Sequence, residues 1–572
     1  MQLSVVPKSE VVLTPEAVPA PSRVVVLKFG SSVLRSVEDL PRVAGEIYRQ
    51  RRAGWQVVAV VSALAGETDA LFAQGASAAG GVDCAGIAEL VSLGEERTAA
   101  LLRIACDRIG VSAEIARPET LGLVTDGDQL SAQPISLDEA PLRARLNRTG
   151  LVIVPGFVGL CGEGRRALLG RGGSDLSAVF IAGALGADHV RLYKDVNGVY
   201  DRDPAVIKEP KRYAEVSWQD ALRVAGKLIQ PQAIEHAAHH GLPIEISEIG
   251  GNSPTRVAAC TGAAEPVAAR RPLRIALAGY GTVGQALARR LSTETGFEIV
   301  SILVRDPGRA RIVPAPCPVT DRIDDFLGVP ADILIDVLSC DRAGEALSRQ
   351  LLASGTHVVS ASKRVIARAR AELATLARDQ GKALLYSAAV GGAAPVLETV
   401  AAARQEGEIA EVSATLNGTV NFILHRLATG AAFEDALDAA RQAGFAEEDC
   451  TSDLGGHDAA AKIRLIAAEA FDVDPAALEV ATEALDAELA ETIRTSGERW
   501  VQMAHLTRDG ASVTLRPARE AGIPALPDEW NSARVTLDDG RAFACLGRGA
   551  GGAATAEAIV ADLFAIRGIA AC

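Results

Sequence analysis

Several stretches of this chain carry residues whose types and spacing suit anion chemistry. In AGYGTVGQAL, Gly279, Gly281 and Gly284 stand in G-x-G-x-x-G spacing, directly after an apolar run and at the start of a helical pattern. Glycines so placed allow a tight turn and let a pyrophosphate approach a helix N-terminus, so Gly279, Gly281, Thr282, Val283 and Gly284 are candidate dinucleotide contacts. The next strand pattern ends in Val304-Arg305-Asp306. Arg305 suits the 2′-phosphate of NADP(H), while Asp306 beside it keeps NAD open. Far upstream, Lys28 ends VVVLKF before Gly30, where a strand-end ammonium can meet a phosphate. LLGRGGSDLSAVF offers backbone N–H groups at its glycines, a Ser174 hydroxyl that can also cap the following helix, and Arg171 and Asp175 at its flanks. KDVNGVYDRDP places Asp195 and Asp203 in a polar turn. Taken singly, each of these also reads as an ordinary solvated lysine, capped turn or polar loop. His236, His239 and His240 share a helix face and read as solvated, so no metal is assigned to them.

The elements that position these groups alternate. Apolar β-branched runs at Val24–Phe29, Val57–Ala63 and Ile244–Ile249 are separated by helical patterns, which is the grammar of a mostly parallel α/β sheet. Cys260–Arg271 is small and polar and reads as a linker, after which strand, glycine turn and helix begin afresh at Pro272. Two α/β enzymes in one chain are expected.

Composition narrows the field. At 572 residues the chain has room for roughly three to four domains. Its net charge of −14 disfavours nucleic acid and anionic membranes, which it would repel over most of its surface. The longest uncharged stretch, Ala383–Leu397, has 15 residues with two glycines and a proline, short of a membrane span. The N-terminal segment lacks a continuous apolar core and reads as a loose tail rather than a secretory signal. Nine scattered cysteines, an odd number without C-x-x-C, argue for reduced thiols in a cytoplasmic setting.

Order adds what the single motifs lack. KFGSS, VVSAL, SLGEE, VPGFVG, GRGGSD, KDVNGVY and GKLIQPQAI follow one another over about 23–249. This series resembles the catalytic domain of aspartokinases, of the amino-acid kinase fold. The resemblance implies ATP- and Mg²⁺-dependent phosphorylation of the aspartate side chain. Its nucleophile is already ionised, so the work is positioning and charge neutralisation. It further implies that Lys28 holds the transferred phosphoryl group and that Ser32 occupies a position usually held by Thr. Glu95 would meet the substrate amino group and Arg171 its carboxylate, with Ser174 and Asp175 lining the site. Asp195, Tyr200, Asp203 and Lys227 would surround the nucleotide. KFGSSV departs from the family's KFGGTS at Ser31 and Val33, and Asp201 stands where Thr is common. The alternative is therefore a degenerate kinase domain with a structural or ligand-binding role.

From Pro272 onward the chain resembles homoserine dehydrogenase. Beyond the glycine turn the likeness rests on HVVSASK, SATLNGTVNFIL, AGFAEEDCTSDLGGHDAAAK and GRGAGGAATAEAIVADL. It implies reduction of L-aspartate 4-semialdehyde to L-homoserine, with Lys462 as proton donor and Asp458, four residues earlier on the same helix face, orienting it. Lys363 would lie near the nicotinamide, Gly444 and Gly549 near the cofactor, and Glu447 at the substrate amino group. The family's Na⁺ or K⁺ site would fall to backbone at Val390 and Gly392, with Ser387 where the family has glutamate.

The expected architecture is thus an amino-acid kinase α/β sandwich, a Rossmann domain and an α+β catalytic and dimerisation domain. The expected boundaries are a tail at 1–22, kinase-like domain 23–259, linker 260–271, Rossmann domain 272–405, catalytic domain 406–540 and a C-terminal return to the Rossmann domain at 541–572. Partners are small-molecule substrates, and a homodimer or higher oligomer is expected. The twelve residues of the linker cannot hold the paired ACT regulatory domains usual in such fusions, and the motifs run to within ten residues of Cys572. Control by threonine or lysine is accordingly not expected.

Overall fold

The computed structural model describes residues 23–79, 84–170, 172–226, 228–266, 271–309, 312–313, 317–443, 445–446, 449–522, 530–549 and 551–569. The expected tail at 1–22 lies outside them. The chain is α/β and divides into two compact units between Pro272 and Leu273.

The first unit is built on an eight-stranded sheet. Its order is Glu215–Ser217, Thr255–Ala258, Ile244–Ser247, His189–Tyr193, Val24–Phe29, Gln56–Val61, Leu151–Pro155 and Glu114–Ile115. The central strands are parallel and buried on both faces, which is why VVVLKF and QVVAVV read as continuous apolar runs. Lys28 lies next to last in its strand, in register with Val60 and Leu192, so its ammonium emerges at the sheet's carboxyl edge. A four-stranded sheet, Gln133–Leu137, Leu123–Asp126, Val158–Cys161 and Arg165–Leu168, leads into the helix Gly173–Leu185. Residues 260–271 are not wholly linker: Ala264–Pro266 forms a strand paired antiparallel with Lys211–Tyr213, and Thr261 Oγ1 accepts from Ser217 N at 2.8 Å. Backbone pairing needs no apolar side chains, so composition does not reveal such a strand.

The second unit opens with six parallel strands in the order Val319–Thr320, Phe297–Leu303, Leu273–Ala278, Ile333–Asp336, His357–Ser360 and Leu384–Leu385. This is the doubly wound dinucleotide-binding order, with its switch point beside Leu273–Ala278. A mixed six-stranded sheet follows, ordered Val480–Thr482, Gly510–Pro517, Trp500–Thr507, Ile409–Thr415, Trp530–Leu537 and Ala542–Arg548. Val412, Ala414, Ala504, Leu506, Val513, Ala533 and Val535 of this sheet share a core with Ile463 and Ile466 of the helix His457–Phe471. The expected boundary at 540/541 falls too early. Ala542–Arg548 pairs with Trp530–Asn531 and the residues up to Thr536, so it completes this sheet. The return begins afterwards, with helix Gly552–Ile569. That helix packs on the dinucleotide domain through a T-shaped Phe297–Phe564 contact and an Arg290 Nε–Glu557 Oε2 ion pair of 2.9 Å. Cys106, Cys161, Cys260, Cys317, Cys340 and Cys450 are free thiols.

Candidate functional sites

In the second unit the glycine turn has a separate steric reason for each glycine. Gly279 has φ +107°, and a Cβ there would lie 2.6 Å from the Val337 carbonyl oxygen. A Cβ on Gly284 would lie 2.4 Å from the Gly279 carbonyl oxygen, so this glycine lets the helix close onto the turn. A Cβ on Gly281 meets nothing within 4 Å, and Thr282 is likewise exposed. Thr282 and Val283 open the helix Thr282–Leu291, whose first N–H groups have no intrahelical acceptor and face that open side. Arg305 is exposed just past the second strand. The Asp306 carboxylate accepts from Gly308 N at 2.9 Å and so serves the local turn.

Elsewhere in this unit, three charged groups from two helices converge. Lys363 opens the helix Lys363–Asp379, capped by Ser362, whose hydroxyl accepts from Val365 N at 3.4 Å. Asp458 and Lys462 lie in the first two turns of His457–Phe471. The Asp458 carboxylate takes Lys462 Nζ on one oxygen at 2.8 Å and Lys363 Nζ on the other. Lys462 Nζ also donates to the Leu416 carbonyl at 2.6 Å. Burial would raise the Asp458 carboxyl, but the two ammonium groups outweigh it and hold the group at about 2. Asp458 is therefore a fixed anion at neutral pH. Lys462 is 9% exposed and two of its three N–H bonds are accounted for, leaving one to donate elsewhere.

Two residues of this site were not among the expected ones. The Asn417 side-chain carbonyl caps its helix by accepting from Val420 N at 3.0 Å, while its amide nitrogen donates to Asp453 Oδ1 at 2.9 Å. Burial raises the Asp453 carboxyl above its ordinary value, ahead of the lowering by Asn417. Both lie inside motifs quoted above, so the signal was available. Gly549 packs against Asn531, where a Cβ would come within 2.2 Å of the amide. Gly392, at φ +63°, lies where a Cβ would meet the Gly549 and Arg548 carbonyl oxygens at 2.6 and 2.8 Å. Val390 is buried beside it. Gly444 and Glu447 lie outside the described residues.

In the first unit the strand-end lysine has a partner. Asp175, 4% exposed, receives Lys28 Nζ at 2.7 Å and Lys194 Nζ at 3.0 Å. Burial would raise the Asp175 carboxyl, yet the two ammonium groups keep it below its ordinary value, and burial depresses Lys28. From sequence, Lys194 is only the start of a polar turn. It directly follows the strand His189–Tyr193, as Lys28 lies next to last in its own, and the rings of Phe29 and Tyr193, next to the two lysines, stack at 4.8 Å. A Cβ on Gly30 would lie 2.6 Å from Lys28 Nζ, so this glycine leaves space for the ammonium.

Ser174 does not cap its helix. The cap is Gly172 at φ +73°, and Ser174 sits inside the first turn with its hydroxyl 2.9 Å from that of Ser62. Glu95, 2% exposed on the helix Cys84–Arg108, accepts from Ala63 N at 3.3 Å, and burial pushes it up to about 7. Ser31 is exposed and its backbone is not in the left-handed region, so a side chain there brings no backbone strain. Ser32 is half-buried in the same turn. Tyr200 is half-buried and bridges to Arg212, whereas Asp195 and Asp203 are exposed, and Asp203 accepts from Ala205 N at 2.9 Å. Arg171 and Lys227 lie outside the described residues. Among the described residues no three His, Cys, Asp or Glu side chains are grouped to hold a metal, and no helix is long and apolar enough to cross a membrane.

Comparison with known proteins agrees with this division. Residues 23–246 match the model of the amino acid kinase family. Residues 279–387 match the NAD binding domain of homoserine dehydrogenase, and residues 395–564 match the homoserine dehydrogenase domain. An aspartokinase of Pseudomonas aeruginosa is 35% identical over 225 residues, covering 39% of this chain and 55% of that protein. An aspartokinase of Helicobacter pylori is 34% identical over 216 residues, 37% of this chain and 53% of that one. The chain thus spans about half the length of the curated relatives it matches. Among solved structures, a homoserine dehydrogenase from Thiobacillus denitrificans superposes with a TM-score of 0.48 at 29% identity, covering 52% of this chain and 74% of that one.

Proposed function

We propose that this chain, which carries a domain of the amino acid kinase family followed by the NAD-binding and catalytic domains of homoserine dehydrogenase, reduces L-aspartate 4-semialdehyde to L-homoserine and phosphorylates L-aspartate. The observation that carries the first activity is the meeting of Lys363, Asp458 and Lys462 in the unit that also holds the glycine turn. The glycine turn would hold a reduced nicotinamide dinucleotide, which would supply the hydride. The helix N-terminus at Thr282 receives its pyrophosphate, and Lys462 holds its remaining N–H for the carbonyl oxygen that gains a proton. Asp458 keeps that ammonium oriented, and Glu447 meets the substrate amino group. NADP(H) is the preferred cofactor because Arg305, exposed just past the second strand, suits a 2′-phosphate. The same reading includes a Na⁺ or K⁺ held by backbone oxygens at Val390 and Gly392.

In the first unit, Lys28 and Lys194 present two cations to the phosphates of ATP and Asp175 holds them in place. Glu95 sits buried where the aspartate ammonium would return its carboxyl to the ionised form. Because Asp175 is already engaged by two lysines, it does not suit direct coordination of Mg²⁺, which would bind through the nucleotide's own phosphates and water. The chain works in the cytoplasm as a homo-oligomer on small-molecule substrates.

Oxidation of NADPH by purified protein given the semialdehyde tests the reductase. An ATP- and aspartate-dependent hydroxamate assay tests the kinase. NADPH oxidation without hydroxamate would leave the first unit as a ligand-binding module.

Cofactor choice gives a sharper check. Arg305→Ala removes charge-assisted hydrogen bonds to a 2′-phosphate, each contributing about 1.5–3 kcal/mol. The ratio of kcat/KM for NADPH over NADH is expected to fall about 10- to 100-fold. An unchanged ratio would mean that another residue reads the ribose.

A further inference from the structure

The two helices that carry the reductase groups are tied together a second time, away from the reacting atoms. Arg370 lies seven residues after Lys363, two turns on and on the same face of Lys363–Asp379. Glu469 lies seven residues after Lys462 on the corresponding face of His457–Phe471. The Lys363–Asp458 pair joins the helices near their starts, and Arg370 Nη2, at the middle of its helix, joins Glu469 Oε1, near the end of the other, at 2.7 Å. Tyr386, 6% exposed, stands between: Arg370 Nε donates to its hydroxyl at 2.6 Å, and the hydroxyl donates to Glu469 Oε1. Burial, then the Glu469 carboxylate, pushes the phenol above its ordinary value, so it keeps the proton it donates. Arg404 Nη1 holds the Glu469 carbonyl at 2.6 Å, which fixes the end of that helix. Tyr386 also leads directly into Ser387–Val390 and the Gly391–Gly392 turn, where Ala393 N donates to the Arg548 carbonyl at 2.8 Å.

Resting on the reading of this unit as a semialdehyde reductase, we propose that Arg370, Tyr386 and Glu469 are positioning residues that fix the angle between the two helices and so the spacing of Lys363, Asp458 and Lys462. The ion pair is partly exposed, but the phenol that joins its two ends is buried. Two ties at different heights restrain rotation of one helix against the other, which a single pair at the helix starts does not.

The test compares Arg370→Met, Arg370→Lys and Tyr386→Phe with Glu372→Gln, a change on the helix of Arg370 that breaks an exposed ion pair with Arg349 of the neighbouring helix Asp341–Ala353. Misplacement of reacting groups by about 1 Å costs up to about 100-fold. Arg370→Met is therefore expected to lower kcat about tenfold or more, with KM for NADPH changed by no more than about twofold. Arg370→Lys should recover part of the loss, and Glu372→Gln should match wild type. Tyr386→Phe removes only a hydroxyl, so it tests the idea even if Arg370→Met does not fold.

A second readout needs no turnover: titration of the ¹³C-labelled Asp458 carboxyl, assigned with Asp458→Asn. Lys363, Lys462 and Asp453 face this group, and its value of about 2 should rise in the positioning variants as Lys363 draws away. Wild-type kcat and an unmoved titration, even alongside a lower melting temperature, would overturn the proposal. A wild type inactive on the semialdehyde would defeat the functional reading, and the titration would still decide the positioning role.

Discussion

Lys462→Ala is expected to lower turnover of aspartate semialdehyde by about 10²–10⁴-fold, the usual contribution of a general acid or base. The side chain is anchored twice, by Asp458 at 2.8 Å and by the Leu416 carbonyl at 2.6 Å, so the ammonium is held rather than mobile. An alanine leaves the glycine turn and the helix Thr282–Leu291 untouched, and NADPH should bind with an affinity within about threefold of wild type. The expected pattern is a fall in kcat and kcat/KM together, the mark of an interaction used only in the transition state. Asp458→Asn should cost less than Lys462→Ala, because the Leu416 carbonyl still holds Lys462. NADPH fluorescence and steady-state kinetics on the same preparations provide the check. A Lys462→Ala enzyme retaining half its turnover would remove this residue from the chemistry.

The parts of these sites readable from sequence are those in which local spacing alone fixes geometry. Asp458 and Lys462 are four residues apart on a helix, so their pairing follows from helical periodicity. The glycine turn likewise depends on contacts within a few residues and one neighbouring strand. What sequence left unread is contact across long separations. Lys363 reaches Asp458 across 95 residues, and Lys194 meets Asp175 from a neighbouring strand end. A lysine at a strand end is common, and nothing local to Lys194 says that a buried carboxylate awaits it. Ser174 has the side chain of a cap but does not serve as one, because Gly172 reaches the left-handed conformation at no steric cost and the helix starts one residue ahead of the hydroxyl. The strand Ala264–Pro266 escaped for a related reason, since an edge pairing of three residues needs no apolar periodicity. The alternation of strands and helices, by contrast, follows from apolar runs separated by helical patterns, whereas the order of the strands within each sheet depends on pairings between distant segments.

Asp175→Asn should abolish phosphoryl transfer in the first unit and destabilise that unit as well. The carboxylate is nearly buried and holds two ammonium groups, at 2.7 and 3.0 Å. An amide of the same shape keeps the packing but leaves Lys28 and Lys194 facing each other without an anion between them. Breaking a buried ion pair by removing one partner costs about 3–5 kcal/mol. In a two-unit chain this should appear as a lower melting step for the first unit, with the reductase step unmoved. Activity in the hydroxamate assay should fall by about 10³-fold, because positioning and charge neutralisation are nearly all that this chemistry asks of the protein. The electrostatic cause has its own signature. The two cations left unpaired in the variant should bind inorganic pyrophosphate, so that ligand should raise the melting step of Asp175→Asn more than that of wild type. Lys28→Met, which removes one cation, should be inactive too but should lose this extra response. Equal shifts by pyrophosphate in wild type and Asp175→Asn would show that the carboxylate does not hold the two lysines for phosphate.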